Sequence, residues 1–310
     1  MFKTIVVGSD GHRGRGAAAL GQALATATGA QLLLVGVAPE LPLRLVESYP
    51  EMRAALEDQL RGVRDTLAPA ARTQISIDLS AAHALGRIAQ DEHADLIIVG
   101  SRRPGAVRRL VSGDNALSVL HSSSCAIAVA PDDLPPCGEL ATIGVGLDAT
   151  PEAHAALALA LELARRSGAV VRLLAVASDA YPGMPHIFSP ATYDDDRYAQ
   201  VIDDRVQTAR TMIEEALAAC AGAAATGDVR LGDPAPELVA FSAECDLLVL
   251  GSRRWGPVRR LVLGSTSEPV LRHARCPVLV LPRNAATEYD ETRDRPGRAS
   301  GSALGATGSA

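Results

Sequence analysis

A chain of 310 residues, 47% of them hydrophobic and 21% charged, is long enough for two globular domains at about 150 residues each and apolar enough to bury full cores. A net charge of −6 and an aromatic content of 3% argue against a nucleic-acid backbone or a stacked single strand as partner. With no apolar run near the roughly 18 residues of a membrane span, no signal-peptide pattern in "MFKTIVVGSD" and five scattered cysteines free of C-x-x-C spacing, a cytoplasmic protein with reduced thiols is expected, with neither membrane nor metal as partner.

Taken in chain order, "TIVVGSD" is an apolar run ending in Gly, Ser and Asp, which reads as a buried strand meeting a turn. "GSDGHRGRG" follows as a glycine-rich turn, and "RGAAALGQALATATGA" has helical composition and stops at Gly29. "QLLLVGV" is a second buried strand, and "LRLVESYPEMRAALEDQLRGVRDTLA" carries apolar residues at helical period. "TQISIDL" alternates like a strand, "AAHALGRIAQDEHA" is helical, and "DLIIVGS" and "CAIAVAP" are strands. Near-continuous apolar strands alternating with helices predict a parallel sheet covered on both faces.

The second half repeats this order. In "TIGVGLDATPEAHAALALALELARRSGA", Thr150 is an expected N-cap, Pro151 suits the first helical position, and Gly168 is an expected stop. "VVRLLAV" is a strand, Asp233 and Pro234 open another helix, and "DLLVLGS" and "CPVLVLP" are the closing strands. The organisation is therefore α/β with two tandem open-sheet domains, residues 1–131 and 140–283, joined by the proline-rich linker 132–139. Residues 284–310 lack any apolar period and read as a disordered tail. The aromatic-containing loop around 179–198 suggests no role.

Most informative is a stretch written twice, "GSRRPGAVRRLVSGD" at 100–114 and "GSRRWGPVRRLVLGS" at 251–265. Each copy starts where an apolar strand ends and finishes where a helix is expected to begin. That is the carboxyl edge of a parallel sheet, where open α/β folds bind ligands. Glycines admit an anion to the backbone, and paired arginines complement its charge. Turn-making glycines, a helix cap at Ser265 or Asp114 and solvated arginines explain the same letters without a ligand. Neither copy is a P-loop or a G-x-G-x-x-G fingerprint.

With "GDP", "DLLVLGSRR" and "GPVRRLVLGSTSEPVLRHARCPVLVLP" the chain resembles the universal stress protein family in a tandem two-domain form, over nearly everything but linker and tail. The resemblance implies, for each domain, a five-stranded parallel sheet with helices on both sides (Rossmann-like) and, in ATP-binding members, the motif G-x2-G-x9-G-[ST]. Carried over, the second domain keeps Gly251, Gly264 and Ser265, with Thr266 next, while Arg254 stands at the middle glycine and Gly256 is a substitute pivot. Asp148 and Val176 match the ribose and adenine positions. The first domain matches with Asp10, Val37, Gly100 and Gly113, has Arg103 at the middle glycine with Gly105 nearby, and ends in Asp114, a carboxylate that repels a triphosphate.

The implied function is an ATP-binding stress-response protein, with Mg2+ accompanying the nucleotide and the second domain holding it. A nucleotide-free interaction scaffold and a slow ATP hydrolase are the alternatives. No histidine, serine and carboxylate spacing marks a catalytic set, so no catalytic residue is expected. The resemblance also implies that "CAIAVAP" and "CPVLVLP" pair antiparallel within the chain, joining the two domains; association of two chains into a homodimer is left open.

Overall fold

The computed structural model describes residues 1–9, 14–39, 49–101, 125–131, 140–180, 195–252 and 265–282. The expected linker and tail, Asp10, and residues 102–114 and 253–264 of the repeated stretches lie outside the described residues.

Strand β1 (Thr4–Gly8) leads through a turn into helix α1 (Arg15–Thr28), followed by β2 (Gln31–Pro39), α2 (Tyr49–Leu67), β3 (Arg72–Asp78), α3 (Ala81–Asp91), β4 (Leu96–Ser101) and β5 (Ala126–Pro131). The second half gives β6 (Thr142–Leu147), α4 (Pro151–Ser167), β7 (Val170–Ala177), α5 (Asp195–Ala219), β8 (Ala225–Leu231), α6 (Pro234–Phe241), β9 (Leu247–Gly251), α7 (Ser267–His273) and β10 (Val278–Leu281). Cap chemistry fixes several ends. The Thr150 hydroxyl accepts from the Ala153 amide and Pro151 occupies the first turn of α4, while Asp233 accepts from Ala235 at the start of α6. Helices α1 and α4 close on Gly29 and Gly168, both left-handed, at φ 73 and 77.

All the strands form one ten-stranded sheet in the order β3-β2-β1-β4-β5-β10-β9-β6-β7-β8. Neighbours within each half are parallel, and the halves meet where β5 and β10 run antiparallel, with Val278 opposite Val129, Leu279 opposite Ala128 and Val280 opposite Ile127. The expected intramolecular strand pairing is thus present.

Alternation along each strand divides the core into two layers. Ile5, Val7, Leu96, Ile98, Leu247 and Val249 face one side under α1, α2, α4 and α5. Val6, Ile97, Leu248 and Leu250 face the other under α3, α6 and α7. Both layers draw residues from both halves, and α1 packs against α4 across the seam. Helix α5 has no counterpart among the elements expected from sequence; it covers β7 and β8 with Ala209, Ile213 and Ala216. No helix of the described residues is long and apolar enough to cross a membrane.

Candidate functional site

Strand β6 lies between β7 on one side and β9 on the other, so the chain leaves β6 in one direction and comes back to it from the other. Crossovers diverge at such a point, and a crevice opens beyond the carboxyl ends of the strands. A cavity of about 100 Å³ occupies this place in the second half. Its apolar walls include Leu174, Leu238 and Leu250, and its polar rim includes Asp148, Thr150 and Thr266.

The turn after β6 orients the rim. Asp148 Oδ1 accepts from the Thr150 amide at 3.0 Å and from the Thr150 hydroxyl. The same hydroxyl oxygen accepts from the Ala153 amide at 3.2 Å, so one Asp-x-Thr turn both caps α4 and fixes the carboxylate. The other oxygen, Oδ2, has no partner among the described residues. Two residues on, Glu152 is 4% exposed and its Oε2 is buried without a hydrogen bond. It sits in the first turn of α4, where the helix field favours negative charge and lowers the cost of such burial.

Strand β7 outruns β6. Pairing of β7 with β6 stops at Ala175 opposite Leu147, whereas pairing with β8 continues to Ala177 opposite Leu231. The Ala177 carbonyl turns to the β8 side, where it accepts from Gly232 at 3.0 Å. Alternation of the ladder therefore turns the Val176 carbonyl to the β6 side, past the end of the β6 pairing and at the wall of the cavity. The cavity thus combines apolar walls with a backbone acceptor, a carboxylate and the Thr266 hydroxyl among its lining groups.

Of the residues expected from sequence, Asp148, Val176, Gly251 and Thr266 line this cavity together. Ser265 is exposed next to Thr266, and helix α7 starts only at Ser267, so Ser265 is not its cap; Thr266 precedes the helix without a side-chain cap bond. Arg254, Gly256 and Gly264 lie outside the described residues. In the first half, Val37 lies two residues before the end of β2, opposite Ser76, and Gly100 is the last but one residue of β4, opposite Ala130, which puts both near the corresponding sheet edge. Asp10, Arg103, Gly105, Gly113 and Asp114 lie outside the described residues.

Leu174, Leu238 and Leu250 were not anticipated; their only sequence signal is apolar character at the ends of elements that converge on the edge. Two of the described cysteines stand apart from this site. Cys245 and Cys276 precede β9 and β10, at the opposite ends of those strands from the cavity. Burial pushes the Cys245 thiol up to about 12 and the Cys276 thiol higher still, which leaves both protonated and unreactive at neutral pH.

A sequence model described as the universal stress protein family matches residues 1–131 and again 140–282. A universal stress protein of Mycobacterium tuberculosis is 30% identical over 200 residues, a match covering 60% of this chain and 61% of that protein. The chain therefore spans less than two thirds of the length of that curated relative. The crystal structure of a universal stress protein from Archaeoglobus fulgidus superposes with a TM-score of 0.63 at 19% identity, covering 90% of this chain and 96% of its own. A putative universal stress protein from Pseudomonas aeruginosa gives 0.58 at 15%, covering 95% and 98%. Structural likeness at these identities speaks for the fold, and the paired family match speaks for descent. The chain belongs to the universal stress protein family, with two tandem matches to that family along its length.

Proposed function

We propose that the second half holds an adenine nucleotide, ATP with Mg2+, and that the bound state acts as a signal in a stress response with no chemical turnover required. The observation that carries this reading is the cavity at the divergence of the β6 crossovers, where a backbone acceptor, a carboxylate and a small hydroxyl surround an apolar slot. A purine fits the slot between aliphatic walls and offers its exocyclic amine to the Val176 carbonyl. The Asp148 oxygen left over from its turn suits a ribose hydroxyl, which donates to a carboxylate.

In this reading the phosphates run past Gly251 toward Ser265 and Thr266, with Arg254, Gly256 and Gly264 contributing from the connecting stretch. Bound Mg2+ would neutralise phosphate charge, and this chain's part is to hold base and sugar. The first half, through Asp10, Val37, Gly100, Gly105 and Gly113, binds more weakly because Asp114 places a carboxylate where the second half has Ser265.

Calorimetric titration of Mg-ATP into nucleotide-free protein, beside a Gly264→Asp, Ser265→Asp double variant, tests the reading. One site per chain, lost in the variant, is expected. Two sites would overturn the inequality of the halves. No binding would overturn the nucleotide reading and leave an interaction scaffold.

A further inference from the structure

The strand that carries Val176 runs out of the sheet at Ala177, and the next three carbonyls are all taken by one helix. Arg205 of α5 donates from Nη1 to the Ser178 carbonyl at 2.7 Å and to the Ala180 carbonyl at 2.5 Å. The Tyr198 hydroxyl, two turns earlier on the same face of α5, donates to the Asp179 carbonyl at 2.8 Å. The Ala180 amide in turn donates to the Ser178 hydroxyl at 3.2 Å, which tightens the turn. A guanidinium that bonds two carbonyls is a charge-assisted contact of fixed geometry, stronger than a neutral pair.

In the first half the residues that follow β2 lie outside the described residues, but the helices themselves can be compared. Equivalent turns follow the two long helices, with Ala71 donating to Ala68 and Ala223 donating to Cys220. Counting the same fifteen residues back from Ala68 and from Cys220 aligns Arg53 with Arg205. Arg53 instead pairs with Glu57 one turn along its own helix at 2.9 Å, with 64% of its side chain exposed. The same residue type at the same helical position thus serves a surface pair in one half and holds the strand exit in the other.

We propose that Arg205 is a positioning residue for the base end of the cavity: by fixing the Ser178 and Ala180 carbonyls it holds the Val176 carbonyl at the cavity wall, and so favours a 6-amino purine over a 6-oxo purine. The proposal rests on the nucleotide reading above. A carbonyl in a fixed place accepts from an exocyclic amine and repels an exocyclic oxygen. Loosened, it loses that discrimination while the phosphate end is untouched.

The test compares binding of Mg-ATP, Mg-GTP and inorganic tripolyphosphate to the full chain and to Arg205→Ala and Arg205→Lys. For Arg205→Ala the expected result is about tenfold weaker ATP binding, a fall in the ATP-to-GTP preference by a similar factor, and unchanged tripolyphosphate binding. Arg205→Lys, which keeps a cationic donor, should recover much of the preference. Unchanged ATP affinity in Arg205→Ala would overturn the proposal and leave the nucleotide reading intact. Equal weakening of ATP and tripolyphosphate would also overturn it, because a merely structural role moves both. If the parent chain binds no ATP, the nucleotide reading itself fails and the positioning role goes with it.

Discussion

Gly251 ends β9, and its lack of a side chain is required by a close approach and not by its backbone angle. A methyl group there would meet the Glu152 carbonyl carbon at 2.5 Å and the Glu152 oxygen at 2.7 Å. Those atoms belong to the first turn of α4, which Pro151 and the Thr150 cap hold in place, so the neighbour has little freedom to retreat. Overpacking against backbone is costly, and Gly251→Ala should lose about 2–3 kcal/mol of stability in a denaturant titration at unchanged m-value. A loss below about 0.5 kcal/mol would mean that α4 shifts freely over the strand end. From sequence, this glycine reads as the opening of an anion loop. The structure adds a second requirement, contact between strand and helix, which a motif cannot convey.

At the scale of elements, both halves lock strand starts by the same device. Asp95, just before β4, accepts through Oδ2 from the Lys3 and Thr4 amides at 2.6 and 3.0 Å. Asp246, just before β9, accepts through Oδ2 from the Ala141 and Thr142 amides at 3.0 and 2.8 Å. Each carboxylate fixes the register of the neighbouring strand from outside the ladder. Because one of the two amides is exposed in each case, Asp246→Ala should cost about 1–2 kcal/mol, and Asp246→Asn, which keeps one acceptor, clearly less. Equal stability of the parent and both variants in urea unfolding would show that the ladder alone sets the register.

These carboxylates appear in sequence only as the first letters of "DLIIVGS" and "DLLVLGS". The strands themselves were legible because a two-sided sheet demands runs such as "LIIV" and "LLVL". Helix ends were legible where Thr150, Pro151, Asp233 and Gly168 supply local cap chemistry. The start of helix α7 differs for the same reason: Ser265 looks like a cap, but the helix begins two residues later, at Ser267, with no side-chain cap bond. The charged residues of α5 dilute its stripe of Val206, Ala209, Ile213 and Ala216, so its cover over β7 and β8, and with it Arg205, emerged only from the fold. In the site, edge residues such as Asp148 and Val176 carry a positional signal. Leu238 and Leu250 carry none, because any core leucine reads alike.

For the whole molecule the decisive contact is the antiparallel seam of β5 and β10. Each of these strands would be an open, apolar edge in an isolated half: Ala128 and Leu279, directly opposite each other, are both 0% exposed. The seam also lets α1 of the first half pack against α4 of the second, and one buried cluster then runs from Ile5 and Val7 through Ala128 to Leu247 and Leu279. Ordinary domain pairs in one chain meet through smaller and more polar contacts and unfold separately. Here, unfolding either half would strip the other of a strand partner and of part of its core, so the two halves should melt as one unit. Scanning calorimetry of the ligand-free chain is expected to give a single transition whose calorimetric and van't Hoff enthalpies agree. Two resolved transitions would show that the seam couples the halves only weakly. On the proposed reading, Mg-ATP added to the chain should then stabilise both halves together and raise the one transition without splitting it, because stabilisation by a ligand spreads over the whole cooperative unit.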